Sequence, residues 1–446
     1  MSKTKDMTEG SPFGLIVRFT APLLLVNVLQ LAYTVIDRAV VGRMLGVDAF
    51  AAIGATYSLQ WLVFSAELAM TQGFGVVFAQ RFGAKDFDGL RRSFANAMLI
   101  TVSLGGVVAL LGAFGAKHAL ALLNTPPELL GDASLYLGIM LGGTLITFIG
   151  NTLRAMLFAR GDSRTPLYAM IFSTILNIAL DFALVVPLGV AGVALAYLLS
   201  QAATCVCLAW SLRGVREARF FRRDVSIPRA KELLRVSIPL VLRQGVMESG
   251  GLVVQVYVNG FGVAAVAGIS AAKTMYSFLL LVINGMEPTV ATYAAQNYGA
   301  GKMNRVRRGV TAGLWIMLVS SFVIGAAALF FGREMLGLLV AGDPRQIADM
   351  LDAGQRQLSV MAVCLPVLSL LFLYRAAIQG VGNTLIPMLS GLAELAGRFA
   401  AIFALTPLWG IGGVCLAEPM GWFGAALLLV ISYFIIIKRL LRPRRL

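Results

Sequence analysis

The chain has 446 residues, of which 58% are hydrophobic and only 13% charged, with a mean hydropathy of +0.82 and a formal charge of +15. A water-soluble globule carries about twice that charged fraction, and twelve spans of about 22 residues would take about 264 positions and leave about 14 for each tail or loop. The composition therefore fits a polytopic helical membrane protein and excludes a sizeable soluble domain; the lone His118 also excludes His-based metal clusters and argues against a Ser-His-Asp triad.

The polar leader 1–11 runs into an apolar stretch too long for a signal-peptide core and shows no clear cleavage site, so the first span is expected to start near Phe13. Asn27, Gln30, Thr34 and Asp37 fall at i, i+3, i+7 and i+10 and share one stripe about 80° wide. Pro22 supplies a kink near the inner end. Helix 2 is expected from Phe50, with Gln60, Glu67 and Thr71 on one face, and helices 3 and 4 from near Arg92 and Leu130. Helix 5, from Thr165, carries Ser173, Asn177 and Asp181 at i, i+4 and i+8. Pro187 and Gly189 then break the charge-free run 182–212 before helix 6 at Val190.

At 1.5 Å per residue, Arg18 to Asp37 is about 28 Å and Arg164 to Asp181 about 26 Å, so both carboxylates belong at similar depth in the outer half of one lobe. Two such stripes facing each other would form a wet pocket. Desolvation and like-charge proximity would oppose ionisation of both acids at once, as a proton-accepting site requires. Plainer roles stay open: an interfacial pair of Asp37 with its neighbour Arg38, and an interhelical hydrogen bond for Asn177 and Asp181.

In the second half, helices are expected from near Glu232, Ala267, Gly309, Ala353, Ile386 and Ile411. Helix 7 carries Gln244, Glu248, Gly251 and Gln255 on one face, and helix 8 carries Lys273, Tyr276, Asn284 and Glu287. Lys273 and Glu287, fourteen apart, should share a face over four turns of that helix. They would pair with neighbouring helices or line a solute pathway. Glu394 and Arg398 form an i, i+4 pair of opposite sign that can neutralise itself. Glu418, just before Pro419, reads as a packing position. Cys205, Cys207, Cys364 and Cys415 lie in apolar runs without zinc or redox spacing and read as small buried hydrophobes.

Placing both termini on one side collects 28 of the 37 basic residues there, eight of them between Arg213 and Arg235, and six on the other. The positive-inside rule then puts both termini in the cytoplasm, and the basic excess reads as topology and anionic-lipid contact rather than nucleic-acid binding. The chain also repeats itself. The stretch Ala79-Gln80-Arg81-Phe82-Gly83-Ala84 recurs as Ala295-Gln296-Asn297-Tyr298-Gly299-Ala300, offset 216, as does Arg91-Arg92 at Arg307-Arg308. Arg18 and Pro22 recur as Arg235 and Pro239. At offset 221, Arg154, Gly161 and Pro166 recur as Arg375, Gly382 and Pro387, and Gly192 and Ala196 as Gly413 and Ala417. The expected fold is all-α and integral to the membrane, with twelve transmembrane helices in two pseudo-symmetric six-helix lobes around a central cavity. The lobes are 1–212 and 232–446, joined by a cytoplasmic linker 213–231.

On these repeated Gln-x-x-Gly-Ala and Gly…Pro turns, and on Asn177 through Asp181 followed by 189–196, the chain resembles the multidrug and toxic compound extrusion family over essentially its whole length. Within that family it looks most like the prokaryotic proton-coupled branch. The resemblance implies a secondary active antiporter, not an enzyme, that exports cationic amphipathic compounds in exchange for protons without a cofactor. It implies proton coupling through Asp37, Asp181, Asn177 and Gln30, with Pro22 as the hinge of helix 1. Asn27, Thr34, Glu248, Gln255, Lys273 and Glu287 are candidates for the substrate or ion path, and Met247, Tyr257 and Met286 are nominated for the pocket. Expected partners are small organic cations and membrane lipids, not nucleic acid, and the chain is expected to be a monomer in a bacterial or archaeal inner membrane.

The rivals are a sodium-coupled antiporter and a flippase for lipid-linked sugars. Sodium-coupled relatives place an acid near Glu248, but the partner acid on helix 10 is replaced by an apolar residue around Leu368. A flippase cavity would be richly cationic, whereas intramembrane acids here outnumber bases seven to three. No Walker A sequence is present, which argues against ATP hydrolysis by this chain. A membrane enzyme would need a convergent catalytic set that does not emerge, and a scaffold would be indifferent to neutralising the buried acids.

Overall fold

The computed structural model describes residues 6–219, 221, 224–337 and 344–441, and within them all side chains except 33–39, 47, 252, 263–264 and 344–346. Among the described residues the regular structure is helical. In the first half run α1 (Pro12–Met44), α2 (Gly46–Gly83), α3 (Phe87–Leu122), α4 (Pro127–Gly142), α5 (Thr144–Ala159), α6 (Arg164–Leu188) and α7 (Val190–Leu212). A short 3-10 turn, Arg216–Ala218, lies in the linker. The second half holds α8 (Ile227–Asn259), α9 (Val263–Leu279), α10 (Leu281–Gly299), α11 (Met303–Gly337), α12 (Pro344–Gly380), α13 (Leu385–Trp409) and α14 (Ile411–Leu441).

Ten segments are long and apolar enough to cross a membrane, counting α4 with α5 as one, and α9 with α10, bent by 43° at Leu280, makes an eleventh. The remaining long helix is α8. Its 33 residues give about 50 Å of rise, well beyond the roughly 30 Å hydrocarbon core, but Arg243 and Glu248 lie inside it. The twelve spans begin within nine residues of their expected starts. All but those at Val190 and Ile411 start earlier, because helices continue past the bilayer, where charged residues no longer stop them. Asp86 shows how: it caps α3 by accepting from the Gly89 N–H at 2.9 Å and pairs with Arg81 at 2.9 Å. Burial pushes the Asp86 carboxyl up, but the Gly89 N–H and Arg81 outweigh it and hold it below the usual carboxylate range. Its contribution is therefore complete above the ordinary aspartate pKa and is lost as pH falls through the lowered one.

Two compact units emerge from the contacts: Ala21–Val241 forms the body of one, and Met7–Thr20 with Leu242–Leu446 the other. Each division falls beside a proline inside a helix, Pro22 in α1 and Pro239 in α8. In the second unit the first half of α1 is held by Thr20 Oγ1 donating to Thr289 Oγ1 at 2.9 Å, and the leader by the Met7 N–H donating to Gln296 Oε1 at 2.9 Å. In the first unit the start of α8 is held by Glu232, which accepts from Arg81 at 2.9 Å, and by Gly73, where an added Cβ would run into Ser237.

The internal repeat is visible in the backbone of each unit. The pairs Gly46 and Gly262, Lys85 and Gly301, Gly161 and Gly382, and Gly189 and Gly410 all have positive φ. Gly189 (φ 58°, ψ −134°) and Gly410 (φ 56°, ψ −130°) each join two helices across a single residue, α6 to α7 and α13 to α14, in a mirror-β conformation that glycine alone adopts readily. Lys85 (φ 58°) alone among these pairs is not a glycine. Lys85→Gly is therefore expected to stabilise the protein by up to about 1 kcal/mol, read as a higher melting temperature in detergent.

Candidate functional site

In the first unit the polar stripe of α6 is buried. Ser173, Asn177 and Asp181 are 3%, 2% and 1% exposed. Ser173 Oγ donates to the Ser200 carbonyl at 3.0 Å, and Asn177, with its amide assigned the orientation that satisfies both neighbours, donates to Asp181 Oδ2 at 3.2 Å while its oxygen accepts from the Tyr197 backbone N–H at 3.3 Å. Ser173 and Asn177 thus face α7, and the Asp37 side of the expected wet pocket lies outside the described residues. The approach is possible because position 192 is glycine, where a Cβ would strike the Leu184 carbonyl of α6. One turn beyond Asp181, Val185 enters a dry cluster with Val40 and Val41 of α1, Met140 of α4 and Val193 of α7. Asp181 thus lies beneath an apolar cap, with an amide held against it.

The other expected members of this site divide. Thr34 and Asp37 are on α1, but their side chains lie outside the described residues. Asn27 and Pro22 are half-buried, and Gln30 is exposed. On α2, Glu67 is 6% exposed and accepts from Thr147 Oγ1 at 2.9 Å, whereas Thr71 bonds the Glu67 backbone carbonyl at 3.0 Å instead of its carboxylate.

The second unit answers with a dry cluster of its own, containing Val254, Val258, Ile269, Ile402 and Val414. Val254 and Ile402 are the repeat counterparts of Asp37 and Asp181, so the same place in this unit carries no charge. Its ionisable groups gather around Glu394. The Glu394 carboxylate accepts from Arg398 Nη2 at 2.7 Å, as the i, i+4 spacing implies, and from Arg375 Nη2 at 3.3 Å. Arg243 of α8 approaches Glu287 of α10 at 3.9 Å, its stem packed where a Cβ on Gly391 would sit. All three arginines are at most 7% exposed.

Three expectations for this unit are corrected. Arg375, one of the 28 basic residues counted on the terminus side, is a buried partner of Glu394 and not a loop cation; its match with Arg154 in the repeat is the signal that places it within a helix. Lys273 and Glu287 do not share a helix face, because the break at Leu280 separates them: Lys273 Nζ donates to Gln255 Oε1 at 3.2 Å, and Glu287 turns to Arg243. Met286 cannot line an accessible pocket, since it is 0% exposed and its sulfur accepts from Thr20 Oγ1 at 3.4 Å. Tyr257 is half-buried and packs edge-on against the exposed Phe403 at 6.0 Å beside the dry cluster. Met247 is half-buried, with its carbonyl accepting from Arg398 at 3.4 Å, and Glu248 accepts from Gln244 at 2.8 Å on the expected face.

The linker is fastened to the first unit. Asp224, 2% exposed, accepts from Arg91 Nε at 3.0 Å and Nη2 at 3.2 Å, and its carbonyl accepts from Asn96 at 2.9 Å. Arg91 also pairs with Asp88 at 3.0 Å, so removing Asp224 takes away the linker's bidentate anchor without leaving Arg91 unpaired. Asp224→Ala is expected to loosen the linker, seen as faster proteolysis there and a lower melting temperature.

The family model described as MatE matches residues 22–183 and 239–397. The chain belongs to the MatE family. As a MatE protein it is a secondary transporter and not an enzyme. It is 28% identical to a Bacillus subtilis relative named "Probable multidrug resistance protein YoeA" over 76% of this chain and 75% of that one. A second Bacillus subtilis relative, "Probable multidrug resistance protein YpnP", is also 28% identical, over 90% of this chain and 91% of the other. Among solved structures, a MOP-superfamily transporter from Pyrococcus furiosus superposes with a TM-score of 0.91 at 22% identity, covering 99% of this MatE chain and 100% of that one. That likeness concerns the fold.

Proposed function

We propose that this MatE protein is a multidrug efflux antiporter that exports cationic amphipathic compounds in exchange for inward protons, by alternating access. The observation that carries the reading is Asp181, a carboxylate 1% exposed within a span, held by Asn177 under an apolar cap and matched in the other unit by Ile402. An ionised group at that depth is costly, and such residues mark proton relays and ion paths. Support for pairing it with Asp37 comes from the repeat, because the counterparts of both acids, Val254 and Ile402, belong to one packed cluster. Support for the cargo comes from the names of the relatives. A sodium site built on Glu248 is disfavoured by the apolar Leu368, which is 2% exposed on α12.

In this cycle the outward-open protein takes a proton on the Asp37 and Asp181 pair and releases cargo. The inward-open protein gives the proton to the cytoplasm and accepts the next cation. Both termini are cytoplasmic in this reading, the protein is a monomer, and no cofactor takes part. A transmembrane potential adds about 2.3 kcal/mol per net charge moved per 100 mV, so it assists only if exchange is electrogenic. Dye efflux of the ethidium type from proteoliposomes, driven separately by a pH step and by a sodium step, tests the coupling. The pH step alone is expected to drive it; efflux driven by sodium alone would overturn it. Full drug resistance retained by Asp37→Asn with Asp181→Asn would remove the assigned roles.

A further inference from the structure

A groove of about 480 Å³ runs along the first unit between α3, α5 and α7. Phe94 of α3 forms its floor, Leu99, Val102 and Ala209 its walls, and Arg213 and Arg219 stand at one end. Phe94 is 4% exposed, whereas Leu99 and Val102 are 42% and 47% exposed on a span, so the groove opens toward the hydrocarbon. From Phe94 to Val102 it measures about 12 Å, most of one leaflet of a core roughly 30 Å thick. The basic end coincides with the end of α7, where the chain leaves the span for the linker. Arg213 is set there by its cation–π contact with Trp210, 5.3 Å to the ring centroid. Among the described residues neither Arg213 nor Arg219 forms a salt bridge with a carboxylate.

We propose that this groove holds one anionic phospholipid, an acyl chain lying against Phe94 and the headgroup phosphate between Arg213 and Arg219. The charge is complementary, and guanidinium groups bind phosphate oxygens through paired N–H donors. Apolar walls of leaflet length exclude a free anion as the natural occupant, because they would remain unfilled. Two arginines without carboxylates favour a net-negative headgroup over a zwitterion, whose ammonium they would repel. On the topology proposed above the lipid belongs to the cytoplasmic leaflet and packs the root of the linker onto the first unit.

Native mass spectrometry of the purified full chain tests this with dioleoylphosphatidylglycerol and dioleoylphosphatidylethanolamine as probes. The wild type is expected to retain one phosphatidylglycerol under activation that strips phosphatidylethanolamine, and millimolar inorganic phosphate should not displace it. Arg213→Glu with Arg219→Glu should weaken retention at least tenfold. Ala209→Phe, which fills the groove and leaves both arginines in place, should do the same. Equal retention of the two lipids, equal retention by wild type and both variants, or displacement by inorganic phosphate would each overturn the proposal. None of these readouts depends on transport, so their failure is separate from failure of the antiport reading.

Discussion

Asp181→Asn is expected to reduce proton-driven efflux to the level of empty liposomes while leaving the fold intact. The substitution keeps the shape of a side chain that is 1% exposed and can still accept from Asn177. What it removes is the exchangeable proton. Because no charge has to be desolvated in the variant, it should melt at the wild-type temperature or slightly above it. Loss of stability together with loss of efflux would mark a structural residue instead. Asn177→Ala should give a milder defect with a shifted pH profile, since it withdraws the amide that orients the carboxylate. Transport is read as dye efflux under a pH step, and folding as thermal unfolding in detergent.

The second large effect concerns stability. Glu394 is the shared counter-ion of Arg375 and Arg398, at 3.3 and 2.7 Å, and is 2% exposed. Glu394→Gln leaves three arginines in the interior of one unit with only Glu287 near Arg243. Breaking a buried pair from one side costs about 3–5 kcal/mol, because an uncompensated charge remains. The variant should express poorly and unfold well below the wild type. Replacing Glu394 and Arg398 together by leucine should recover part of that loss, since the pair then leaves as a unit. An unchanged melting temperature for Glu394→Gln would show that the arginines find other partners.

Hydropathy made the spans legible because the membrane demands about twenty apolar residues at a time, a requirement that local detail cannot mask. The duplication was equally plain, and the paired positive-φ positions Gly189 with Gly410 and Gly161 with Gly382 show why: each turn admits few residue types, so its glycine persists. Breaks inside spans were harder to see. Nothing in the composition around Leu280 announces a bend, unlike the Gly142-Gly143 pair at the break between α4 and α5, and the shared face expected for Lys273 and Glu287 is lost at that bend. The exchange of helix halves at Pro22 and Pro239 is likewise invisible to a cut at the linker, because a proline marks a kink and not the partner of the segment beyond it.

For the site, periodicity put Ser173, Asn177 and Asp181 on one stripe, as the structure has them. It could not say which neighbour the stripe faces. That was decided by Gly192, whose missing side chain lets α7 close on α6. A cation such as Arg375 at the end of a span looks like a topology signal in sequence until Glu394, nineteen residues on, is folded back beside it. Met286 failed as a pocket residue for a related reason: a flexible apolar side chain serves a core as readily as a cavity, and its partner Thr20 is 266 positions away.

The most direct test of the central claim is proton release on substrate binding. Purified protein in lightly buffered detergent with a pH indicator is mixed with an ethidium-type cation, for the wild type and for Asp181→Asn. If the coupling acid is shared by proton and drug cycles, the wild type releases protons in proportion to the cation bound, and Asp181→Asn binds the cation with no release. Equal release from the two proteins, or none from the wild type at saturating cation, would contradict the account.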